Sequence, residues 1–210
     1  AVDGVLNTAT FSLLSTSAST SFGWIHPESS ADQARIAGSL GRQLVMINPS
    51  SSANVLVHSS VLLDSSWQWT IEFINHKGKD TWVGVCSQLH IDKFVSGTYS
   101  DDDGLGSDAF SFGIHHKKGV RHAGRILASG TRWKTGQRLK LVYDKGSGQL
   151  SFYCNDVLMY TADGVPTEGM FAAVSSPMEQ MKFRTLSCHS ESVVTALPEN
   201  VFIFTSSLNS

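Results

Sequence analysis

The chain has 210 residues, 41% of them hydrophobic and only 16% charged, with a formal net charge of -2. Soluble domains carry about 25% charged residues, and here serine and threonine make up the difference. The length suits one large domain that buries its core without disulfides or metal. No apolar run reaches the ~18 residues of a membrane span, and no long single-sign block exists to attach the chain to lipid or nucleic acid.

The three cysteines, Cys86, Cys154 and Cys188, are odd in number and widely spaced. That is a poor disulfide framework and fits a reducing compartment. No Asn-x-Ser/Thr sequon is present, and Ala1-Val2-Asp3-Gly4 shows no secretory signal. An intracellular, cytoplasmic setting is expected, with the chain a processed product or an excised domain of a larger protein.

In chain order, Phe11–Leu14, Gln43–Ile47 and Asn54–His58 read as strands. Ser30-Ala31-Asp32-Gln33 resembles a helix N-cap, and the helix formers after it run through Ala37 to Gly38. This predicts the one short helix. From Trp67 onward, short strands alternate with turns. Ile71 and Phe73 alternate with polar neighbours, and Trp82–Cys86 is apolar on both faces. Phe110, Phe112 and Ile114 alternate up to a turn at Lys117-Lys118-Gly119. Leu139–Tyr143 leads through a glycine turn at 144–148 into Leu150, Phe152 and Cys154. Asn155-Asp156 turns back into Val157–Tyr160, and Met170–Ser175 and Met181–Leu186 supply the last strands. The expected fold is an all-β antiparallel sandwich with one short helix at most.

From Trp67 to Leu186 the chain resembles SPRY domains in order, spacing and residue type. The matching segments are Trp69-Thr70-Ile71-Glu72, Trp82-Val83-Gly84-Val85 and Phe110-Ser111-Phe112-Gly113. They continue with Gly136–Leu139 into Tyr143-Asp144, then Leu150-Ser151-Phe152-Tyr153-Cys154-Asn155, Met170–Ser175 and Met181–Arg184. The family's mid-chain Trp-Gly-Phe is replaced, Asp156 stands for a hairpin glycine, and Ala172 for a proline. Leu63-Asp64 is followed by Ser65, so the signature of a preceding PRY segment is absent. The resemblance implies a concanavalin-like jelly roll, one domain over 1–210 with its recognisable core at 67–186. Residues 1–66 and 187–210 are expected to complete the sheets.

The resemblance also implies a non-catalytic module whose loops at one end capture a protein or peptide. Such domains often act as the recognition arm of a ubiquitin ligase or scaffold within a larger chain. By loop position, partner binding is assigned to Phe94 and Tyr99 in a 93–99 loop, to Pro177 and Met178, and to Arg35 and Arg42. Large apolar groups in loops need a packing or binding reason. A glycan-binding lectin and a purely structural domain are the alternatives.

Other constellations have plainer readings. Asp101-Asp102-Asp103 with Asp108 lacks the register of a calcium loop and reads as a solvated acidic loop. His115-His116-Lys117-Lys118 reads as a solvated hairpin, its adjacent histidines pointing to opposite faces. Nucleic acid is disfavoured without interleaved aromatics. Gly104-Leu105-Gly106 precedes a strand rather than a helix and is no dinucleotide loop. No Gly-x-Ser-x-Gly, His-Glu-x-x-His or P-loop occurs, so no catalytic residue, cofactor or metal ligand is assigned. The cysteines read as small core hydrophobes. Trp69 and Trp82 read as core, while Trp24 and Trp133 read as lids over the core edge in preference to exposed anchors.

Overall fold

The computed structural model describes residues 22–28, 33–47, 54–75, 81–98, 104–129, 132–177 and 180–191. The expected strand at Phe11–Leu14, the Asp101–Asp103 loop, Tyr99 and Met178 lie outside these residues.

Period-two alternation builds the first sheet. In β5 (Ser66–Asn75), Trp67, Trp69, Ile71 and Phe73 are buried while their neighbours face outward. Against it runs β10 (Arg138–Asp144), with Leu139 opposite Ile71, Leu141 opposite Trp69 and Tyr143 opposite Trp67. Next come β11 (Gln149–Cys154) and β12 (Val157–Ala162). On the other flank of β5 lies β14 (Met181–Glu191), followed by β3 (Leu44–Ile47) and β2 (Ala34–Ala37). The order of this β5 sheet is β12-β11-β10-β5-β14-β3-β2.

The second sheet is built from β1 (Trp24–Ile25), β4 (Val55–Ser59), β13 (Met170–Ser176), β6 (Trp82–Ser87), β7 (Ser111–His115), β8 (Gly119–His122) and β9 (Arg125–Ala128). That is also their spatial order, and every neighbouring pair in both sheets is antiparallel. Between the sheets pack Trp24, Trp67, Trp69, Trp133, Phe73, Phe112, Phe152 and Phe183 with aliphatic neighbours. Truncating any one of these aromatics to Ala costs about 3–5 kcal/mol.

Gly84 shows how tightly the β6 sheet is made, since a Cβ there would run into the Phe112 carbonyl on β7. At the far edge of the other sheet, Asn155 (φ 48) and Asp156 (φ 65) both take the left-handed conformation that a two-residue hairpin turn requires. Asp156 thus does what glycine does in relatives of this pattern, at some steric cost.

Four expectations are corrected. The helix predicted through Ala37 is instead β2, whose residues pair one for one with β3, from Ala34 opposite Ile47 to Ala37 opposite Leu44. Strand pairing and the burial of Ala34 override local helix propensity there. Among the described residues the helix is α1 (Gln88–Val95), which buries His90 and Ile91 and ends at Gly97 (φ 69). Phe94, assigned to a loop, lies in that helix. Finally, β7 is buried on both faces, because α1 and the 104–110 loop cover the outside of its sheet.

Candidate functional site

The outer face of the β6 sheet carries a second small core of Leu56, Trp82, Cys86, Ile91, Leu105 and Ala173, with Phe94 and Phe171 packed against it. Hydrogen bonds pin the 104–110 loop over this face. The Leu105 amide donates to Ser175 Oγ (3.0 Å) and the Gly106 amide to Ser111 Oγ (2.8 Å). Gly104 lies so close to the Trp82 indole that a Cβ would strike the ring. Arg121 sets its guanidinium 3.9 Å from the Trp82 ring centroid and donates to the Gly104 and Leu105 carbonyls.

Asp108 ties this loop to the helix. Its Oδ1 accepts from Ser111 Oγ (2.8 Å) and the Phe110 amide (3.1 Å), and His90 Nδ1 lies 3.1 Å away. Lys93 Nζ stands at 3.9 Å from Oδ2. Asp108 is therefore a structural anchor and not part of a solvated loop. Among the described residues, no group of three or more His, Cys, Asp or Glu side chains is gathered to hold a metal.

At one end of the sandwich the loops stand on a buried pillar. His115 lies 4.7 Å from Trp82 and 4.5 Å from His116, centroid to centroid, and His116 meets the edge of Trp133, itself stacked on Phe73. His115 Nδ1 accepts from the amides of Lys117 (3.0 Å) and Lys118 (2.9 Å), which fixes the turn above it. Both histidines are buried, so the solvated-hairpin reading fails for the imidazoles and holds only for Lys117 and Lys118 at the tip. Trp24 and Trp133 are likewise core residues. Trp24 Nε1 donates to Thr185 Oγ1 at 2.8 Å.

Register decides which expected partner-binding residues meet. β13 runs out to Pro177 and the chain re-enters at Met181, which pairs with Ile47, the last residue of β3. Arg42 precedes the first residue of β3 and therefore lies at the opposite end of the sandwich from Pro177. Arg35 is exposed on the outer face of β2, and Phe94 is half-buried on α1. Of the six, the four described residues, Phe94, Pro177, Arg35 and Arg42, do not form one patch. The end that holds half-buried Pro177 also presents the exposed Lys117, Lys118, Arg132 and Lys134, which the sequence reading left unassigned. Their clustering depends on register and has no local signal.

The cysteines behave as core atoms. Burial pushes the Cys86 thiol far above its ordinary range, and the nearby Asp108 adds to the effect. Burial also lifts Cys188 to about 12 and raises Cys154. None of the three is poised as a thiolate nucleophile. No described helix is long and apolar enough to cross a membrane.

The SPRY domain family model matches residues 66–187. Among solved structures, the SPRY domain of human HERC1 matches with a TM-score of 0.55 at 14% identity, over 74% of this chain and 95% of that one. A second human SPRY domain gives 0.53 at 18% identity, over 78% and 96%. The TRIM65 PSpry domain gives 0.52 at 16%, over 73% and 85%. No curated protein sequence shows significant similarity to the chain. SPRY domains are typically non-catalytic protein-interaction modules. The order of motifs, the two antiparallel sheets and the family match agree: this chain belongs to the SPRY domain family.

Proposed function

We propose that the chain is a non-catalytic protein- or peptide-binding module that captures its partner on the loop end around Lys117, Lys118, Arg132, Lys134 and Pro177. It serves as an intracellular recognition arm of a larger protein, of the ubiquitin-ligase or scaffold kind. The observation that carries this reading is the pillar of Trp82, His115, His116 and Trp133 beneath exposed turns. Side chains held over a rigid base lose little conformational entropy when a partner arrives, so more of the contact energy remains as affinity.

The test is quantitative affinity capture with the full-length protein, comparing wild type with Lys117→Glu/Lys118→Glu. A partner retained by wild type and lost in the variant supports the reading. Identical retention by both proteins sinks it.

A further inference from the structure

We infer that the segment captured at the loop end is acidic, an Asp- and Glu-rich stretch of a partner protein whose carboxylates settle over Lys117, Lys118, Arg132 and Lys134. The inference rests on the loop-end reading and names the chemistry of the partner.

The cations come from one part of the chain. Between Asp108 and Asp144 no Asp or Glu occurs, yet eight of the 16 Lys and Arg residues do. The fold then sorts these eight. Arg121 is engaged with Trp82 and the Gly104 and Leu105 carbonyls, and Lys140 with Asp156. Arg125 opens β9 at the turn from β8, at the other end of the sheet from Lys117 and Lys118. Arg138 stands opposite Glu72 on β10. The remaining four, Lys117, Lys118, Arg132 and Lys134, are exposed and share the loop end.

One buried contact joins the two basic turns. The His116 and Trp133 rings meet edge to face with centroids 6.0 Å apart. Lys117 and Lys118 directly follow His116, and Trp133 lies between Arg132 and Lys134, so both pairs of cations rise from the same buried joint. Each turn is also fixed from within. His115 Nδ1 accepts from the Lys117 and Lys118 amides. The Lys134 amide donates to Gln137 Oε1 and the Gly136 amide to the Phe73 carbonyl, both at 2.7 Å. Like charges held this way repel one another, and an anionic segment relieves that repulsion as it binds. Pro177 follows β13, two strands from β7 and so about 10 Å away, and offers the segment an apolar contact. The connections at 76–80 and 178–179 lie outside the described residues. In sequence they add Lys77 and Lys79 against Asp80 and Glu179, which leaves the balance positive.

The surface selects the occupant. No large apolar side chain is exposed on 115–119 or 132–138, so neither turn can wedge into a bilayer. No aromatic is exposed there for bases to stack on, which disfavours single-stranded nucleic acid. Phosphate is best held by the fork of a guanidinium, whereas three of these four cations are lysines, which act as point charges. Carboxylates are the anion that remains.

The experiment uses the full chain and a fluorescein-labelled peptide of alternating Glu and Ser, about ten residues long and roughly 33 Å when extended. Comparison probes are the same peptide with Gln for Glu, one with phosphoserine in place of Glu, and a uridine oligomer. Anisotropy reads binding. The Glu peptide is expected to bind and the Gln peptide not to. Affinity should fall between about 0.1 M and about 1 M salt, as the Debye length shrinks from about 10 Å to about 3 Å. Lys117→Gln/Lys118→Gln and Arg132→Gln/Lys134→Gln, all at exposed positions, are each expected to weaken binding about three- to tenfold, the scale of two exposed ion pairs. Lys145→Gln, in the turn at the other end of β10, leaves it unchanged. Absence of Glu-peptide binding, equal binding of the Gln peptide, tighter binding of the phosphoserine peptide or the uridine oligomer, or an equal effect of Lys145→Gln would overturn the inference. If the Glu peptide fails while a captured partner is still lost from Lys117→Glu/Lys118→Glu, the acidic occupant is wrong and the loop-end reading stands. A partner retained by that variant removes both.

Discussion

Replacing Asp108 tests whether one carboxylate holds the outer layer of the β6 sheet in place. It serves Ser111 Oγ at 2.8 Å, the Phe110 amide at 3.1 Å and His90 Nδ1 at 3.1 Å, and its side chain is only 14% exposed. Hydrogen bonds to a charged group contribute about 1.5–3 kcal/mol each, but water can reach part of the vacated site. Asp108→Ala should therefore cost about 3 kcal/mol. Asp108→Asn keeps an acceptor oxygen and should cost about 1 kcal/mol. At this chain length, 1 kcal/mol moves Tm by about 2–4 °C, so the expected falls are roughly 6–12 °C for Ala and 2–4 °C for Asn. Thermal melts give the totals, and hydrogen exchange at the Gly106 and Phe110 amides shows whether the loss is confined to the loop. Equal effects of Ala and Asn, or an Ala cost below about 1 kcal/mol, would refute the assignment. The loop would then be held by its bonds to Arg121, Ser175 and Ser111 without the carboxylate.

Gly84→Ala should destabilise by more than about 3 kcal/mol, because the new methyl meets a backbone carbonyl of the paired strand and cannot rotate away. Gly136→Ala, where φ is 83 but space is open, should cost only about 1–2 kcal/mol. Urea melts that rank the two in the other order would show that strand contact does not govern Gly84. His58 is buried beside Phe171, and burial, aided by the charge of nearby His26, pushes its pKa below the ordinary 6.5 despite the Ser59 carbonyl at 2.9 Å. The folded state thus binds this proton less readily than the unfolded one. Its contribution to stability is present in full above pH 6.5 and is lost as pH falls through the lowered folded value. The drop in Tm from pH 7.5 to pH 5, measured for wild type and His58→Gln, should be smaller in the variant, and an unchanged drop would place the proton uptake elsewhere.

Much of the fold was legible because strands with one buried face write their burial into alternate residues. Trp69, Ile71 and Phe73 announced β5 in this way, and Leu150 and Phe152 announced β11. Segments whose structure is decided by distant partners were not legible. Ala34–Ala37 has helical propensity but gains more from pairing with Leu44–Ile47. Conversely, α1 offered only Ser87 before it and the i, i+3 pair Ile91 and Phe94 as its signature, which a loop reading absorbed. The sites were the least visible. Lys117, Arg132 and Pro177 come together only through register. A net charge of -2 averages that arrangement away.

The last two strands of the described chain are not at the margins of their sheets. β13 lies between β4 and β6, and β14 between β5 and β3. During synthesis, every earlier strand therefore leaves the ribosome before the strand that joins the halves of its sheet. Until Glu191 has emerged, β5 and β3 face each other across an empty lane with open backbone edges, the kind of surface that invites pairing with another chain. The domain cannot close progressively from its first residues. Both sheets wait for their last strand, and a chain truncated before β14 leaves the edges of β5 and β3 open.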